Sequence, residues 1–338
     1  MLQQARSQQG KLANSLGFAG CKPTCPIIIS TAHQLRWVTM PHPGNASPHD
    51  RSMFHAWRLV AGAAVALLLS ACGSEKASEL AALRVSAIPD QAPERVLAQH
   101  GPVIEQVCSA AGLRCTWVAS STYEDVVAAL GAGQIDLAFL GGVTFVLAHA
   151  NHGSIPLVMR DIDARFVSAI IVKASDTARD LSDLRGKSFA FGARSSTSGH
   201  QMPRYFLRTE GFHPERDFAS VSYSEGHDAT VRMVLDGKVT AGAVNRQILD
   251  DAFRKELSAG GRLRVLWESP PYNDYVWVAR RDLPAAVRER LINAFLDLDH
   301  SKPESRDALL KEGAGGFFPA YPWDFSKLTS VLRELGRL

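Results

Sequence analysis

Short apolar runs alternate with amphipathic stretches from Leu83 to the end of the chain. The run Ile135–Leu140 is typical of a central strand buried on both faces, and Tyr123–Leu130 carries an apolar stripe at helical spacing. Such alternation of strands and helices predicts an α/β fold with largely parallel sheets. Further helices are predicted at Ser198–Thr209, at Ile248–Leu257 and, with no further strand, beyond Pro284.

The alternation is interrupted twice, by the β-branched run Val167–Val172 and by the predicted strand Tyr275–Ala279, at which the chain returns to the first lobe. Two crossings of this kind describe one lobe inserted into another. We therefore expect lobe 1 to comprise residues 83–168 and 275–338, and lobe 2 to comprise residues 169–274. Because clefts between domains are favoured sites for small ligands, we expect a ligand to bind between the two lobes.

An apolar run of 11 residues, Leu59–Leu69, follows Arg58 and leads into a Leu-Ser-Ala-Cys sequence that ends at Cys72. A helix needs about 20 residues to span a bilayer, so this run has the length of a signal-peptide core instead. The pattern resembles a bacterial lipoprotein signal, in which the cysteine receives a lipid and becomes the first residue. Residues 53–71 are predicted to be cleaved and residues 72–82 to form a tether. A buried helix that ends in a cysteine is the alternative interpretation.

Residues 1–52 precede the methionine at which such a signal would begin. They contain many turn-forming residues and little periodicity, so we expect translation to start at Met53 and this extension to be a misassigned gene start. Cys21 and Cys25 lie in it without a second cysteine or histidine pair at the spacing of a zinc finger. No metal site and no cofactor are predicted.

The formal net charge of +3 depends on the segments before Cys72. Six of the 37 basic and one of the 34 acidic residues lie there, which leaves 31 basic and 33 acidic residues and a net charge of −2. A general basic surface that would attract nucleic acid is therefore not predicted.

Two further cysteines, Cys108 and Cys115, lie at the end of a predicted helix and in the strand that follows. An export signal would bring them into an oxidising compartment, where a disulfide between them can persist. Two buried thiols are the alternative.

Three consecutive hydroxyl residues, Ser196, Thr197 and Ser198, lie between a predicted strand and a predicted helix, in a segment that runs from Gly192 to His200. Hydroxyl donors, unpaired backbone N–H groups and the positive end of the helix dipole would meet there, and together they form an anion site. An ordinary helix N-cap, at which serine and threonine are also favoured, is the alternative.

The segment 196–203 reads Ser-Thr-Ser-Gly-His-Gln-Met-Pro, and 205–212 reads Tyr-Phe-Leu-Arg-Thr-Glu-Gly-Phe. Other motifs lie at 122–123, 133–141, 226–228, 237–245 and 269–275. In these segments the chain resembles, over nearly all of residues 80–338, the substrate-binding proteins of ABC importers for phosphonate, phosphite and phosphate. The resemblance implies a type II periplasmic-binding-protein fold, two α/β lobes that close on a phosphorus oxyanion.

By this resemblance, the oxyanion is gripped by the three hydroxyl residues. The family's ligand histidine matches His227, its first-lobe tyrosine matches Tyr123, and its acidic hinge residue matches Asp274. A histidine can donate to an anion and adds positive charge if it is protonated. An ionised aspartate only accepts hydrogen bonds, so Asp274 would favour a ligand that retains a P–OH proton and would repel sulfate.

The sequence departs from the family pattern at two positions. Phe145 replaces a second tyrosine that the family often has, and Thr144 is expected to supply the missing hydroxyl. Asn245 lies where binders of aminoalkylphosphonates carry an acid, so the ammonium of such a ligand would lack a charge partner. We therefore expect phosphite, phosphate or methylphosphonate as ligands, with an aminoalkylphosphonate as the alternative.

Enzymatic activity is not predicted, since the Gly-x-Ser-x-Gly, P-loop and His-Glu-x-x-His motifs are missing from the sequence. The resemblance implies a monomer that is anchored by its lipid in the periplasm or at the cell surface and delivers its ligand to an ABC permease and ATPase. A binding protein that presents the ligand to a membrane receptor kinase is the alternative.

Overall fold

The structure is a computed structural model that describes residues 82–249 and 261–338. The extension 1–52, the predicted signal peptide, Cys72 and all but the last residue of the predicted tether lie outside the described residues. Of the helix expected at Ile248–Leu257, only the first two residues are described, and they belong to a 3₁₀ turn, Gln247–Leu249.

One sheet has six strands, and we call the part of the chain built around it lobe 1. In chain order its strands are β1 (Leu83–Ala87), β2 (Cys115–Trp117), β3 (Leu137–Leu140), β4 (Ile155–Arg160), β10 (Val276–Ala279) and β11 (Phe317–Pro319). The spatial order is β11-β4-β10-β3-β1-β2. The central strands β3 and β10 are buried at every position, in keeping with their uninterrupted apolar sequences.

The other sheet has five strands, and the part built around it is lobe 2. Its strands are β5 (Ser168–Lys173), β6 (Ser188–Phe191), β7 (Ser220–Tyr223), β8 (Ala241–Asn245) and β9 (Leu263–Glu268). The spatial order is β7-β6-β8-β5-β9. Alternate residues of β5 enter two separate cores: Ile170 and Val172 pack on one face of the sheet, and Ala169 and Ile171 on the other.

Nine α-helices of the described residues pack on these sheets. They are α1 (Pro93–Ala110), α2 (Tyr123–Gly131), α3 (Gly142–His152), α4 (Met202–Thr209), α5 (Pro214–Asp217), α6 (His227–Leu235), α7 (Ala285–Leu296), α8 (Pro303–Glu312) and α9 (Ser326–Glu334). Helices α4, α5 and α6 contact the strands of lobe 2, and the other six belong to lobe 1. Within the described part of the chain, no helix is both long and apolar enough to cross a membrane.

Both sheets are mixed, so the prediction of largely parallel sheets was wrong. Strand β10 runs antiparallel to β3 and β4, and β5 runs antiparallel to β8 and β9. The reason is the double crossing, because the strands that enter and leave lobe 2 run against the βαβ units around them. Strand β11 was not predicted, since its three residues follow two glycines and end in a proline, which hides any alternation.

The two chain segments that connect the lobes lie side by side. Phe166 and Tyr272 form an antiparallel bridge between the segments, and the Ser168 Oγ lies 2.5 Å from the Tyr272 hydroxyl oxygen. Strand β5 begins at Ser168, a residue that the sequence pattern assigned to lobe 1, because Ser168 pairs with Asn245 of lobe 2. The two connecting segments are therefore held together by this isolated bridge.

Cys108 and Cys115 are joined by a disulfide, with their Cα atoms 6.1 Å apart. The bond ties the last turn of α1 to the first residue of the edge strand β2. Since β2 has only three residues and pairs with one neighbour, the disulfide adds a covalent constraint to a short edge strand.

Reduction of this disulfide is expected to destabilise lobe 1 without removing its fold. Closing a loop this short contributes roughly 2–3 kcal/mol in the chain-entropy model. We predict that the double variant Cys108→Ala, Cys115→Ala melts several degrees below the oxidised protein, and that a reductant lowers the melting temperature of the wild type but not of the variant. Equal melting temperatures for oxidised and reduced wild type would contradict a structural disulfide.

Candidate functional site

The predicted hydroxyl cluster lies at the start of a helix in lobe 2, and Ser196, Thr197 and Ser198 are all buried. Ser196 is the N-cap of a π-helical turn, Thr197–Gln201, and its Oγ accepts the N–H of Gly199 at 3.0 Å. The helix expected from Ser198 onwards therefore begins with a π turn, which continues directly into α4. Single π turns within helices occur often at functional sites.

The N-terminus of α3 approaches this turn from lobe 1. The N–H of Val143 donates to Thr197 Oγ1 at 3.0 Å, and the N–H of Gly142 donates to Asp274 Oδ1 at 2.9 Å. Because the oxygens of Ser196 and Thr197 already accept backbone N–H groups, their own hydroxyl hydrogens must point to other acceptors, and the nearest side chains are Tyr123 for Ser196 and Asp274 for Thr197. The backbone thus orients these hydroxyls as donors.

Asp274 is fully buried between these elements. Its Oδ2 makes no hydrogen bond among the described residues. Burial raises the pKa of Asp274 to about 7, although the Gly142 N–H and the nearby hydroxyls of Thr197 and Ser198 act to lower it. The Thr197 and Ser198 hydroxyls lie beside the carboxyl group as hydrogen-bond donors, while no described group reaches Oδ2 itself in hydrogen-bond geometry. The site therefore contains a buried carboxyl oxygen that still needs a donor.

A buried ion-pair network supports Asp274 from lobe 1. The backbone N–H of Asp274 donates to the carbonyl oxygen of Asp163 at 3.1 Å. The Asp163 carboxylate receives two hydrogen bonds from Arg160, at 2.7 and 2.8 Å, and Arg160 also reaches the Glu312 carboxylate at 3.3 Å. These three charged side chains are at most 2% exposed. Breaking such a network leaves an unpaired buried charge, which is strongly unfavourable. The network therefore holds in place the backbone to which Asp274 is hydrogen-bonded.

His227 begins α6 in lobe 2 and is buried. Its Nδ1 accepts the backbone N–H of Asn245 at 3.2 Å, so the neutral ring carries its hydrogen on Nε2. Burial lowers the pKa of His227, although the carboxylates of Asp90 and Asp228 act in the opposite sense. His227 is therefore a neutral donor at neutral pH. The positive charge that protonation of His227 would add is therefore not expected at neutral pH.

Two residues of this cluster, Asp90 and Tyr275, were missing from the predicted set. The Tyr275 hydroxyl donates to Asp90 Oδ2 at 2.8 Å and lies 3.5 Å from His227 Nε2. The carbonyl oxygen of Asp90 accepts the N–H of His227 at 2.8 Å, from one lobe to the other. A Cβ at Gly226 would lie 2.8 Å from that oxygen, so this approach requires glycine before the histidine. The position of Asp90 just beyond the carboxyl end of β1, where ligands of α/β sheets bind, was the available signal.

Tyr123 is the first residue of α2, and its hydroxyl lies beside Ser196 of lobe 2. Burial raises the pKa of Tyr123 well above its usual value, and the nearby carboxylate of Asp90 raises it further. The phenol therefore remains protonated and can donate a hydrogen bond into the cleft.

Thr144 and Asn245 take structural roles in this structure. The Thr144 hydroxyl donates to the carbonyl oxygen of Gly141 at 2.8 Å, within the first turn of α3, so its hydrogen is not free to replace the missing tyrosine hydroxyl. Asn245 Oδ1 accepts the N–H of Ile248 at 2.7 Å while its backbone N–H holds His227. Asn245 thereby fixes the ring that faces the cleft.

The cleft thus combines several neutral donors with one buried acceptor. The donors are Tyr123, Ser196, Thr197, Ser198 and His227, and the unpaired acceptor is Asp274. Among the residues that the structure describes, no three His, Cys, Asp or Glu side chains are placed to bind a metal ion together. The arrangement is suited to a small oxyanion that brings one acidic hydrogen.

The chain is similar in sequence to several known proteins. Residues 85–325 match the model of a family described as ABC transporter, phosphonate, periplasmic substrate-binding protein. A probable ABC transporter phosphite-binding protein of Prochlorococcus marinus is 28% identical over 284 residues, 80% of this chain and 96% of its own. A phosphate-import protein of Mycolicibacterium smegmatis is 29% identical over 259 residues, 70% of this chain and 79% of its own.

Two solved structures confirm the predicted fold class. The Prochlorococcus marinus protein in complex with methylphosphonate has a TM-score of 0.72 at 27% identity, over 76% of this chain and 99% of its own. A binding-protein component of an ABC phosphonate transporter from Pseudomonas aeruginosa has a TM-score of 0.67 at 16% identity, over 76% of this chain and 86% of its own. At the latter identity the likeness concerns the fold alone.

The raised pKa of Asp274 predicts how the stability of the ligand-free protein varies with pH. A carboxyl whose pKa is raised on folding favours the folded state below its unfolded pKa of about 4, and this contribution is lost as the pH rises through about 7. We predict that the free energy of unfolding of the wild type falls by about 3 kcal/mol relative to Asp274→Asn between pH 5 and pH 8.

Chemical denaturation of both proteins at the two pH values measures this difference. The exposed residue Asp307 provides the control, since Asp307→Asn removes a carboxyl without changing a buried one. A constant difference between wild type and Asp274→Asn over this range would mean that Asp274 has an ordinary pKa.

Proposed function

This chain belongs to the phosphonate-binding family of periplasmic substrate-binding proteins of ABC transporters, and from that premise we propose that it captures a small phosphorus oxyanion between its lobes. The proposed ligands are phosphite, phosphate or a simple phosphonate such as methylphosphonate. Binding is proposed to occur by closure of the cleft, with no chemical change to the ligand.

The observation that carries this proposal is the unpaired Oδ2 of the buried Asp274. A hydroxyl on the bound phosphorus would donate to this oxygen, while the other phosphorus oxygens accept from the hydroxyls of residues 196–198. A buried acceptor without a partner carries a desolvation cost of about 1–3 kcal/mol, which such a ligand removes. Sulfate carries no proton at neutral pH, so it would bring an anionic oxygen against a carboxyl oxygen.

The relatives support the ligand class. One is named as a probable phosphite-binding protein, one as a phosphate-import protein, and a structural neighbour holds methylphosphonate. All three ligands are small phosphorus oxyanions that can retain a P–OH group. The site of this chain has the donors and the acceptor that such a group requires.

Direct contacts between the lobes favour closure as the binding step. Val143 of lobe 1 donates to Thr197 of lobe 2, and His227 of lobe 2 donates to Asp90 of lobe 1. These bonds form only when the cleft is shut, and closure expels water from the donors. Expulsion of water strengthens each polar contact with the ligand, because the local dielectric falls.

The transport context supplies the proposed partners. We propose that the closed, loaded protein delivers its ligand to a permease and ATPase and that a lipid on Cys72 holds it at the membrane. The Leu-Ser-Ala-Cys pattern before residue 73 supports this anchor. We propose that the site residues serve binding and not catalysis, in keeping with the family of substrate-binding proteins that the chain matches.

Replacement of Ser196, Thr197 and Ser198 by alanine is expected to abolish tight binding. Hydrogen bonds to a charged group contribute about 1.5–3 kcal/mol each, so the triple variant should bind at least a thousandfold more weakly. Calorimetric titration of the purified protein with phosphite, phosphate, methylphosphonate, aminoethylphosphonate and sulfate measures the affinity and the ligand preference.

The control is the triple variant Ser326→Ala, Thr329→Ala, Ser330→Ala on α9, which removes three hydroxyls that bond only within their own helix or not at all. Its affinity should equal that of the wild type. Unchanged affinity in the first variant, with a normal melting curve, would refute the site. Preference for sulfate, or for the aminated ligand, would refute the roles given to Asp274 and Asn245.

A further inference from the structure

A pocket of about 410 Å3 lies beside the two connecting segments. Its walls come from the end of the 3₁₀ turn Asp161–Arg165, from the segment 271–273, from residues 324–328 at the start of α9 in lobe 1, and from Met202, the first residue of α4 in lobe 2. Volumes of roughly 300–1,000 Å3 are usual for pockets that bind small molecules. None of the residues proposed to contact the oxyanion lines this pocket, so it has room for a ligand of its own.

Buried side chains separate this pocket from the proposed oxyanion site. Leu328 lines the pocket and packs against Gly142, where a Cβ would lie 2.6 Å from Leu328 Cδ2, and the N–H of Gly142 bonds to Asp274. Tyr272 lines the pocket as well, and its hydroxyl lies beside Ser198. The pocket and the oxyanion site are therefore adjacent but distinct.

The inner wall of the pocket is apolar. Met202, Leu328 and Tyr272 are at most 5% exposed, and the hydroxyl of Tyr272 is already hydrogen-bonded within the protein. Ala164 and Pro271 add further apolar surface where the pocket is more open to solvent. Burial of apolar area on both the protein and the ligand favours binding, so a ligand of this pocket needs an apolar body.

The charged residues that line the pocket, two cations and one carboxylate, carry a net charge of +1. Arg165 and Lys327 are exposed, and no hydrogen bond or ion pair joins either of them to another residue that the structure describes. The carboxylate is that of Asp324, whose Oδ2 accepts the N–H of Tyr321 at 2.8 Å, while its carbonyl oxygen accepts the amide of Asn273 at 2.7 Å. The pocket therefore lacks one negative charge.

We propose that this pocket is a second ligand site, which takes a small organic monoanion with an apolar body, such as a short-chain carboxylate. The apolar body packs on Met202, Leu328 and the ring of Tyr272, and the carboxylate accepts hydrogen bonds from Arg165 and Lys327. An inorganic oxyanion lacks the apolar body, and a cationic ligand adds to the positive charge. This site is independent of the proposed function, because none of its contacts involves the phosphorus oxyanion.

Titration with carboxylates of increasing chain length tests the site. The probes are acetate, butyrate and hexanoate, and the amide signals of Asn273 and Leu328 in the NMR spectrum of the full protein report binding. Burial of one methylene group raises affinity about fourfold, so hexanoate should bind at least tenfold more tightly than acetate. Hexylammonium has the same apolar body and the opposite charge, so it should bind at least tenfold more weakly than hexanoate at low salt.

Two variants separate the contribution of charge from that of the apolar wall. The double variant Arg165→Gln, Lys327→Gln removes both cations and should weaken hexanoate binding about fivefold or more. Ala164→Phe fills the pocket and keeps both cations, so hexanoate should bind it no more tightly than acetate does. Arg333→Gln is the matched control, because it removes an exposed cation of α9 that does not line the pocket, and its affinity for hexanoate should equal that of the wild type.

The alanine variant of residues 196–198 distinguishes this pocket from the cleft, since it should bind hexanoate as the wild type does. Loss of hexanoate binding in that variant would place the carboxylate in the cleft and overturn the second site. Equal affinities for acetate and hexanoate, or an affinity for hexanoate within twofold of the wild type in the folded double variant, would overturn it as well. If Ala164→Phe does not fold, the double variant and the chain-length series decide. A wild-type protein that binds hexanoate but no phosphorus oxyanion would overturn the proposed function and leave the second site standing.

Discussion

The burial of Asp274 between the lobes is the constraint on which the rest of the site depends. A carboxyl group at 0% exposure is unfavourable unless its oxygens are hydrogen-bonded or it is protonated. One oxygen is satisfied by the N-terminus of α3, and the other is left without a partner in the described residues. The ion-pair network behind Asp163 holds the backbone of Asp274 in this position. We propose that a ligand with an acidic hydrogen provides the donor that this oxygen lacks.

The remaining polar groups of the cleft have their hydrogens assigned by the backbone. Ser196, Thr197 and His227 each accept a backbone N–H, so each must direct its own hydrogen elsewhere. Local geometry thereby produces a set of neutral donors in a chain whose net charge after Cys72 is −2. The net charge of the protein does not have to attract the anion, because the donors act at hydrogen-bond distance in a region from which closure removes the water. We propose that Asp274 then restricts which anions those donors hold.

Sequence patterns predicted the α/β class and the two lobes, and the family motifs led to the type II periplasmic-binding-protein fold and to most of the candidate site residues. The mixed sheets and β11 were not predicted, because strand direction depends on the double crossing, and three residues are too few to show a period. Asp90 carried no motif of its own, and Tyr275 closed the 269–275 motif without being singled out, because their contacts with each other and with His227 depend on coordinates that sequence spacing does not reveal. Thr144 was assigned a donor role from its residue type, but its hydrogen is used by the carbonyl of Gly141, which only coordinates could show.

The central claim is that a proton shared with the bound ligand satisfies the unpaired Oδ2 of Asp274. Calorimetric titration of methylphosphonate at pH 8, in buffers with different ionisation enthalpies, counts the protons taken up on binding. The account predicts uptake of about one proton per ligand by the wild type and much less by Asp274→Asn, whose amide can donate to a fully ionised oxygen. Tight binding by the wild type with no proton uptake at this pH would contradict it.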